Sequence, residues 1–583
     1  MKKSTKIILI TSSALFAVLV FLCCSTPRMR ILLWRLYDRP EDIVRTQTFY
    51  ATRGEIFDCN GNVIATNKTL YDVYMDCCVV NDPREWENKS RRLAQEIAQV
   101  LPVRTAPEWW EYFQESRKNR RRFIKIVKDV DWQMVDSLRA LTLFNEGRYH
   151  GGLIVSAKDV RVYPYGNLAR RTVGVRKNTL ESISFGLEGQ YEADLNGENG
   201  FAKTRSGYRL GKRRQWRDEF KECVDGWNIH IALNMKFQTA ADSVLRNVIE
   251  CNGNLAGGCL AMMEVETGEI RALANIHRLD DGQVGEYFNY FLDYGYEPGE
   301  VAQTMTLAAA LSDGVVKSLS ERIPTKHGRI NNTIAFVDDY IRNYERKMQS
   351  DSISVVDGFA ASSRYVSADI ALRYSDTPDY YYDWIKTFCI DSYDFDLNGV
   401  RNVDLVSSLR RDANTLAAMG SGYELAVTPI HVLTFYNAVA NGGKMMRPMV
   451  VKRMESNEYG SQYMAPKELH PQVLRPEVAD SLKKALSLCV TKGTAQKLKG
   501  TQIVGKTGTS RQIIDPKQRQ GSSDPYSDAE GRRQYASSFV GFYPETDPEY
   551  TVICVLFTGL TRNPVYGGNQ PLELVKDFVS AVN

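Results

Sequence analysis

A membrane-length apolar run at the start of the chain constrains its topology more than any other feature. Lys2, Lys3 and Lys6 precede an uncharged stretch from Ile7 to Cys24, about the length of helix that crosses a bilayer. A cleavable signal opens the same way, but it should end in small residues at its cleavage site. This run ends Val20-Phe21-Leu22-Cys23-Cys24, and Phe21 and Leu22 are bulky neighbours for a lipid-modified cysteine. The expectation is an uncleaved anchor over residues 7–24 with residues 1–6 as a short cytoplasmic tail, because lysines stay on the cytoplasmic side. Arg28 and Arg30 weaken that asymmetry. Most of the 583 residues would then sit outside the membrane, held to it by a single pass.

The remainder is ordinary globular sequence. It is 43% hydrophobic and 25% charged, apolar enough for more than one packed domain and too apolar for disorder. Its 74 basic and 70 acidic side chains leave a net charge of +4, so charge gives no reason to expect a nucleic-acid partner. The basic run from Arg117 to Lys128 reads as a solvated face. Eleven cysteines, odd in number and without C-x-x-C spacing, indicate neither zinc nor a disulfide framework. No metal and no cofactor is expected.

Patterning predicts an α+β chain. Residues 51–65 read as strand, turn, strand with Asn60-Gly61 at the corner. Helices are predicted over roughly 86–100 and 109–114. A boundary falls near Asp225-Gly226-Trp227, which divides a first domain, 25–226, from a second, 227–583. Beyond it come a strand over 229–233, an amphipathic helix over 234–250 and a hairpin over 257–274. The polar stretch 511–534 reads as a mobile loop.

Six segments, in order, carry a resemblance. They are Arg53-Gly54-Glu55-Ile56-Phe57-Asp58 with Gly61; Arg161-Val162-Tyr163-Pro164-Tyr165-Gly166; Gly186-Leu187-Glu188 with Tyr191, Leu195, Gly197 and Gly200; Glu297-Pro298-Gly299-Glu300 with Gln303; Ser362-Ser363-Arg364; and Lys506-Thr507-Gly508-Thr509. Together they resemble the monofunctional (class B) penicillin-binding proteins, the peptidoglycan D,D-transpeptidases, from Ala51 to the C-terminus. The resemblance implies an elongated mixed pedestal whose Arg53, Gly54, Asp58, Arg161, Pro164, Gly186 and Glu188 are structural ties. It also implies a transpeptidase domain built on a five-stranded antiparallel sheet flanked by helices, beside a helical subdomain, with the sheet's last strands over 506–509, 536–543 and 550–557 and its closing helix over 572–582.

It further implies a degenerate pocket. The family's Ser-x-x-Lys supplies a nucleophile and its base; Glu300 and Gln303 stand in their places. The family's Ser-x-Asn has become Ser362-Ser363-Arg364, so no catalytic set is intact. A carboxylate at a helix N-terminus is favoured by about 0.3–1 kcal/mol, and Arg364 could pair with Glu300, or else point to solvent. Lys506, Thr507, Gly508 and Thr509 match the family's substrate-binding strand. Elsewhere Ser481-Leu482-Lys483-Lys484 is a literal Ser-x-x-Lys, but it follows the second motif and lies on a helix with a buried stripe at Leu482, Ala485 and Leu486, so it reads as coincidence.

The resemblance thus implies a catalytically inactive pseudo-transpeptidase, a scaffold or regulator in division or elongation. Its implied partners are a peptidoglycan stem peptide or lipid-linked precursor, a membrane glycosyltransferase (polymerase) and other divisome or elongasome proteins. The alternative is an active D,D-transpeptidase or carboxypeptidase with an atypical nucleophile.

Overall fold

The structure, a computed structural model, describes residues 43–176, 184–209, 212–330, 338–389, 395–397, 399–401, 404–405, 412–563 and 565–583. The expected tail and anchor, residues 1–24, lie outside them. Among the described residues no helix is long and apolar enough to cross a membrane.

The described residues form two compact units: 43–53 with Asn196–Trp227, and Gly54–Leu195 with Asn228–Asn583. In the first, Ile43–Phe49 pairs antiparallel with Gly200–Arg209, which pairs with Lys212–Lys221. Arg53 donates there to the Asn196 side chain.

In the second unit, the helices predicted near 86 and 109 run Pro83–Val100 and Ala106–Lys118. Asp82 caps the first helix by accepting from the Arg84 amide. Their apolar faces bury Trp86, Leu93, Ile97, Trp109 and Phe113 in one core with Phe144, and the basic run spans the end of the second helix, a turn and the start of the strand Ile124–Val130. Gly54 and the other motif residues knit this region together. The Arg161 guanidinium donates to Glu188 at 2.7 Å, to the Gly54 carbonyl at 2.8 Å and to Asn67 at 3.1 Å. Glu188 is 0% exposed, so this is an ion pair out of water, which persists only with its hydrogen bonds made. Pro164 sits in the turn that the Gly166 amide closes on the Tyr163 carbonyl. Gly186 has φ 65° and a Cβ there would stand 2.6 Å from Gly174 Cα, so only glycine fits.

Asp58 reaches further. Its carboxylate accepts from the Asn60 and Asn62 amides at 2.8 Å and from the Met235 amide at 3.2 Å. The adjacent strand Ile56–Phe57 runs parallel to Asn228–Ile231, which is antiparallel to Val451–Ser456, so a seven-stranded sheet joins both halves of this unit.

The larger half begins with α1 (Met235–Cys251), capped by Asn234 accepting from Lys236 N. A hairpin follows, β1 (Leu255–Glu264) and β2 (Ile270–Arg278). Next come α2 (Gln303–Ser312), α3 (Arg364–Leu372), α4 (Pro429–Ala440) and α5 (Pro476–Thr491). The chain closes with β3 (Val504–Gln512), β4 (Gln534–Tyr543), β5 (Tyr550–Thr558) and α6 (Gln570–Val582).

The sheet runs β2-β1-β5-β4-β3, all antiparallel. It has six strands rather than five. The chain turns back at Gly282, φ 88°, and the two-residue strand Val284–Gly285 adds beside β2. Strand β5 is buried continuously from Thr551 to Thr558, the pattern of a strand covered on both faces. Helices α1 and α6 pack on the sheet together, α4 packs on β5, and α4 is buried at every residue. A helix apolar all round belongs in a core. At the sheet's end, β3 pairs with β4 alone, and its other edge borders a cleft.

Candidate functional site: a cleft along an edge strand

The Glu-Pro-Gly lead starts the helix as expected, with one difference. Gly299–Ala302 is a 3-10 turn, and the α-helix proper begins at Gln303. Gly299 has φ 61°, and Gly422 meets it: a Cβ on Gly422 would lie 1.9 Å from the Gly299 carbonyl oxygen. This close approach brings the turn against β3. The Glu297 carbonyl accepts from Ser510 and, at 3.1 Å, from the Gln512 side chain, while the Glu297 amide donates to Gln512 at 3.1 Å.

The result is an open cleft of about 660 Å³ whose lining includes Glu300, Ser362, Arg364, Thr507, Gly508 and Thr509. Residues far apart in sequence are thus brought together there, and Lys506 lies directly behind. Lys506 is 0% exposed and donates to the Ser362 hydroxyl and, at 3.4 Å, to the Thr507 carbonyl. Burial pushes its pKa down, and the Glu300 carboxylate partly offsets that. Ser362 sits at φ 59°, with its hydroxyl also 3.2 Å from that of Thr494, which is 2.6 Å from the Thr507 hydroxyl. The cleft floor therefore holds one lysine amine at the end of a chain of hydroxyls from Ser362 through Thr494 to Thr507.

Gly508 lets strand and helix meet, because a Cβ there would stand 2.9 Å from the Pro298 carbonyl oxygen and 3.0 Å from Val301. Beside it, the Glu300 carboxylate accepts the Thr509 amide proton at 2.7 Å. The ion pair suggested between Glu300 and Arg364 is not the contact made. The Arg364 guanidinium lies 4.9 Å over the Tyr423 ring instead, since α3 begins at Arg364 with Ser363 as its cap. Gln303 is 1% exposed and donates to the Ser363 carbonyl at 3.4 Å. A neutral amide at that place neither takes nor gives a proton at physiological pH.

Tyr535, Tyr566 and Asn569, which sequence reading had not singled out, line the cleft beside Tyr423. Glu297 is 4% exposed, and its carboxylate accepts from the Glu424 amide at 2.8 Å and the Tyr526 hydroxyl at 3.0 Å. Burial pushes its pKa up to about 7. Tyr526 lies in the stretch expected to be a mobile loop; that stretch instead carries its own bonds, Ile514 N to Pro525 O at 3.0 Å and Arg532 to Asp528 at 2.7 Å. Ser481 lies outside the cleft, its hydroxyl donating to the Glu477 carbonyl at 2.8 Å. Among the described residues no group of three or more His, Cys, Asp or Glu side chains is placed to hold a metal.

The penicillin binding protein transpeptidase domain model matches residues 258–578, and the penicillin-binding protein dimerisation domain model matches residues 48–231. The chain belongs to the penicillin-binding protein transpeptidases. With a dimerisation domain ahead of the transpeptidase domain, it is of the class B kind, a family of peptidoglycan synthesis. It is 24% identical over 585 residues to stage V sporulation protein D of Bacillus subtilis, covering 95% of this chain and 83% of that one. It is 25% identical over 549 residues to the probable peptidoglycan D,D-transpeptidase PenA of Neisseria meningitidis, covering 90% and 83%. In fold it is similar to penicillin binding protein 2X of Streptococcus thermophilus, with a TM-score of 0.70 at 18% identity over 92% of this chain and 80% of that one. Penicillin binding protein 3 of Mycobacterium tuberculosis, solved with aztreonam, gives 0.63 at 18% identity over 92% and 96%.

Proposed function

We propose that this chain is a non-acylating member of its family: a pseudo-transpeptidase that serves division or elongation as a scaffold or regulator. One observation carries the reading. At the helix start, where an acyl acceptor would stand, the Glu300 carboxylate is held by the Thr509 amide, and buried Gln303 replaces the base. A carboxylate attacking a peptide carbonyl would form a mixed anhydride, a high-energy acyl carrier. Loss of the serine in comparable hydrolases removes roughly six orders of magnitude of rate. Lys506 and the hydroxyls around it remain suited to a carboxylate-bearing stem peptide or lipid-linked precursor.

In this reading residues 7–24 anchor the chain in the inner membrane in a single pass, with the rest in the periplasm. The pedestal contacts a membrane glycosyltransferase and other divisome or elongasome proteins. The test is intact-mass spectrometry of the full chain in detergent with excess penicillin, beside an acylating relative. No mass increase in folded protein is expected; a stoichiometric adduct overturns the reading.

A second reading, an active enzyme with an atypical nucleophile, has one observation in its favour. The Ser362 hydroxyl lies on the Lys506 amine, a serine beside a lysine base. A penicillin adduct mapped to Ser362 would establish it.

A further inference from the structure

The edge of β3 is capped from across the cleft at two successive outward amides. Residues two apart on a strand send their N–H groups to the same side. The Thr509 amide donates to Glu300 at 2.7 Å, and the Arg511 amide donates to the Tyr423 hydroxyl at 3.4 Å. Because β3 pairs with β4 alone, these are the donors that a peptide adding as a further strand would need. Tyr423 is held in place by the Arg364 guanidinium 4.9 Å over its ring and by the edge of Tyr526 at 6.2 Å. Unpaired strand edges invite another chain, and proteins blunt them with side chains.

We infer that Glu300 is a built-in occupant of the cleft, filling the amide site at Thr509 so that a peptide enters only when the Glu300 side chain swings away. This rests on the reading of the cleft as a non-cutting peptide site, and it deepens that reading with a means of control. Glu300 is only partly buried, and it has open cleft space to move into. The occupant it competes with is an acyl peptide with a free C-terminal carboxylate. Such a ligand would place a carbonyl oxygen on the Thr509 amide and its carboxylate toward the Lys506 and Thr507 end.

The test is reversible binding of a fluorescent N-acyl tripeptide ending in D-Ala-D-Ala to the full chain in detergent, read by anisotropy. Glu300→Ala should bind at least about tenfold tighter than wild type, because it removes a charge-assisted competitor for the amide. Glu300→Gln retains an oxygen acceptor for Thr509 and should stay within about threefold of wild type. Tyr423→Phe frees the second amide by an independent route and should tighten binding by about threefold. Unchanged, weaker or undetectable binding by Glu300→Ala overturns the inference. So do equal gains in Glu300→Ala and Glu300→Gln, which would assign the effect to charge repulsion. A covalent mass adduct of the wild type would instead sink the non-cutting reading, and anisotropy and mass report the two separately.

Discussion

The Tyr526 hydroxyl donates to the buried Glu297 carboxylate at 3.0 Å, which ties the excursion between β3 and β4 to the turn that starts α2. Burial pushes the Glu297 pKa from 4.5 up to about 7, against the hydrogen bonds from Glu424 and Tyr526 that lower it. An acid raised on folding binds more protons folded than unfolded, so its contribution to stability is fully present below about pH 4.5 and is lost as pH rises through about 7. Thermal unfolding of wild type and Glu297→Gln should therefore diverge over that window, with wild type losing up to roughly 3 kcal/mol relative to the variant. Parallel curves would contradict the assignment.

Arg161 and Glu188 form a buried pair at 2.7 Å. Glu188→Ala leaves the guanidinium without its counter-charge, and denaturant unfolding should report a loss of about 3–5 kcal/mol. Replacing both, as Arg161→Met with Glu188→Leu, should recover much of it.

Gly508→Ala places a methyl 2.9 Å from the Pro298 carbonyl oxygen and 2.9 Å from the Ser538 hydroxyl. The strand cannot move away without breaking its ladder with β4. A cost of about 1–3 kcal/mol is expected from overpacking, read as a lower melting temperature. An unchanged one would mean that the turn at Pro298 yields.

Lys506, Ser362, Thr507 and Thr509 already stand in one cleft. Combining Glu300→Ser, Gln303→Lys and Arg364→Asn should therefore restore acylation by penicillin, seen as an intact-mass adduct mapped to position 300. A folded triple variant that stays unmodified would place the loss of chemistry elsewhere.

Much of the architecture was legible in the residues themselves. Helical periodicity located α1, because a face buried against one neighbour leaves a regular local pattern, the turn at Glu266-Thr267-Gly268 located the β1–β2 hairpin, and the resemblance placed β4, β5 and α6. The Pro298-Gly299 pair and the apolar run after it marked the start of the helix, and the Lys506-Thr507-Gly508-Thr509 segment marked a strand. The stretch after β3 is the loop its polar composition suggested, but that composition hides Tyr526, whose hydrogen-bond partner is 229 residues away in sequence.

The sequence by itself determined which side chains follow the Glu297-Pro298-Gly299 lead, a carboxylate at Glu300 and an amide at Gln303. Only the tertiary structure decided what they meet. Glu300 meets an amide 209 positions away, and the Arg364 guanidinium lies over the Tyr423 ring. Those partners follow from strand register and from the contact of Gly508 with Pro298, which no local pattern records. Composition and spacing report which face of an element is buried; hydrogen-bond partners depend on which elements the whole fold sets side by side.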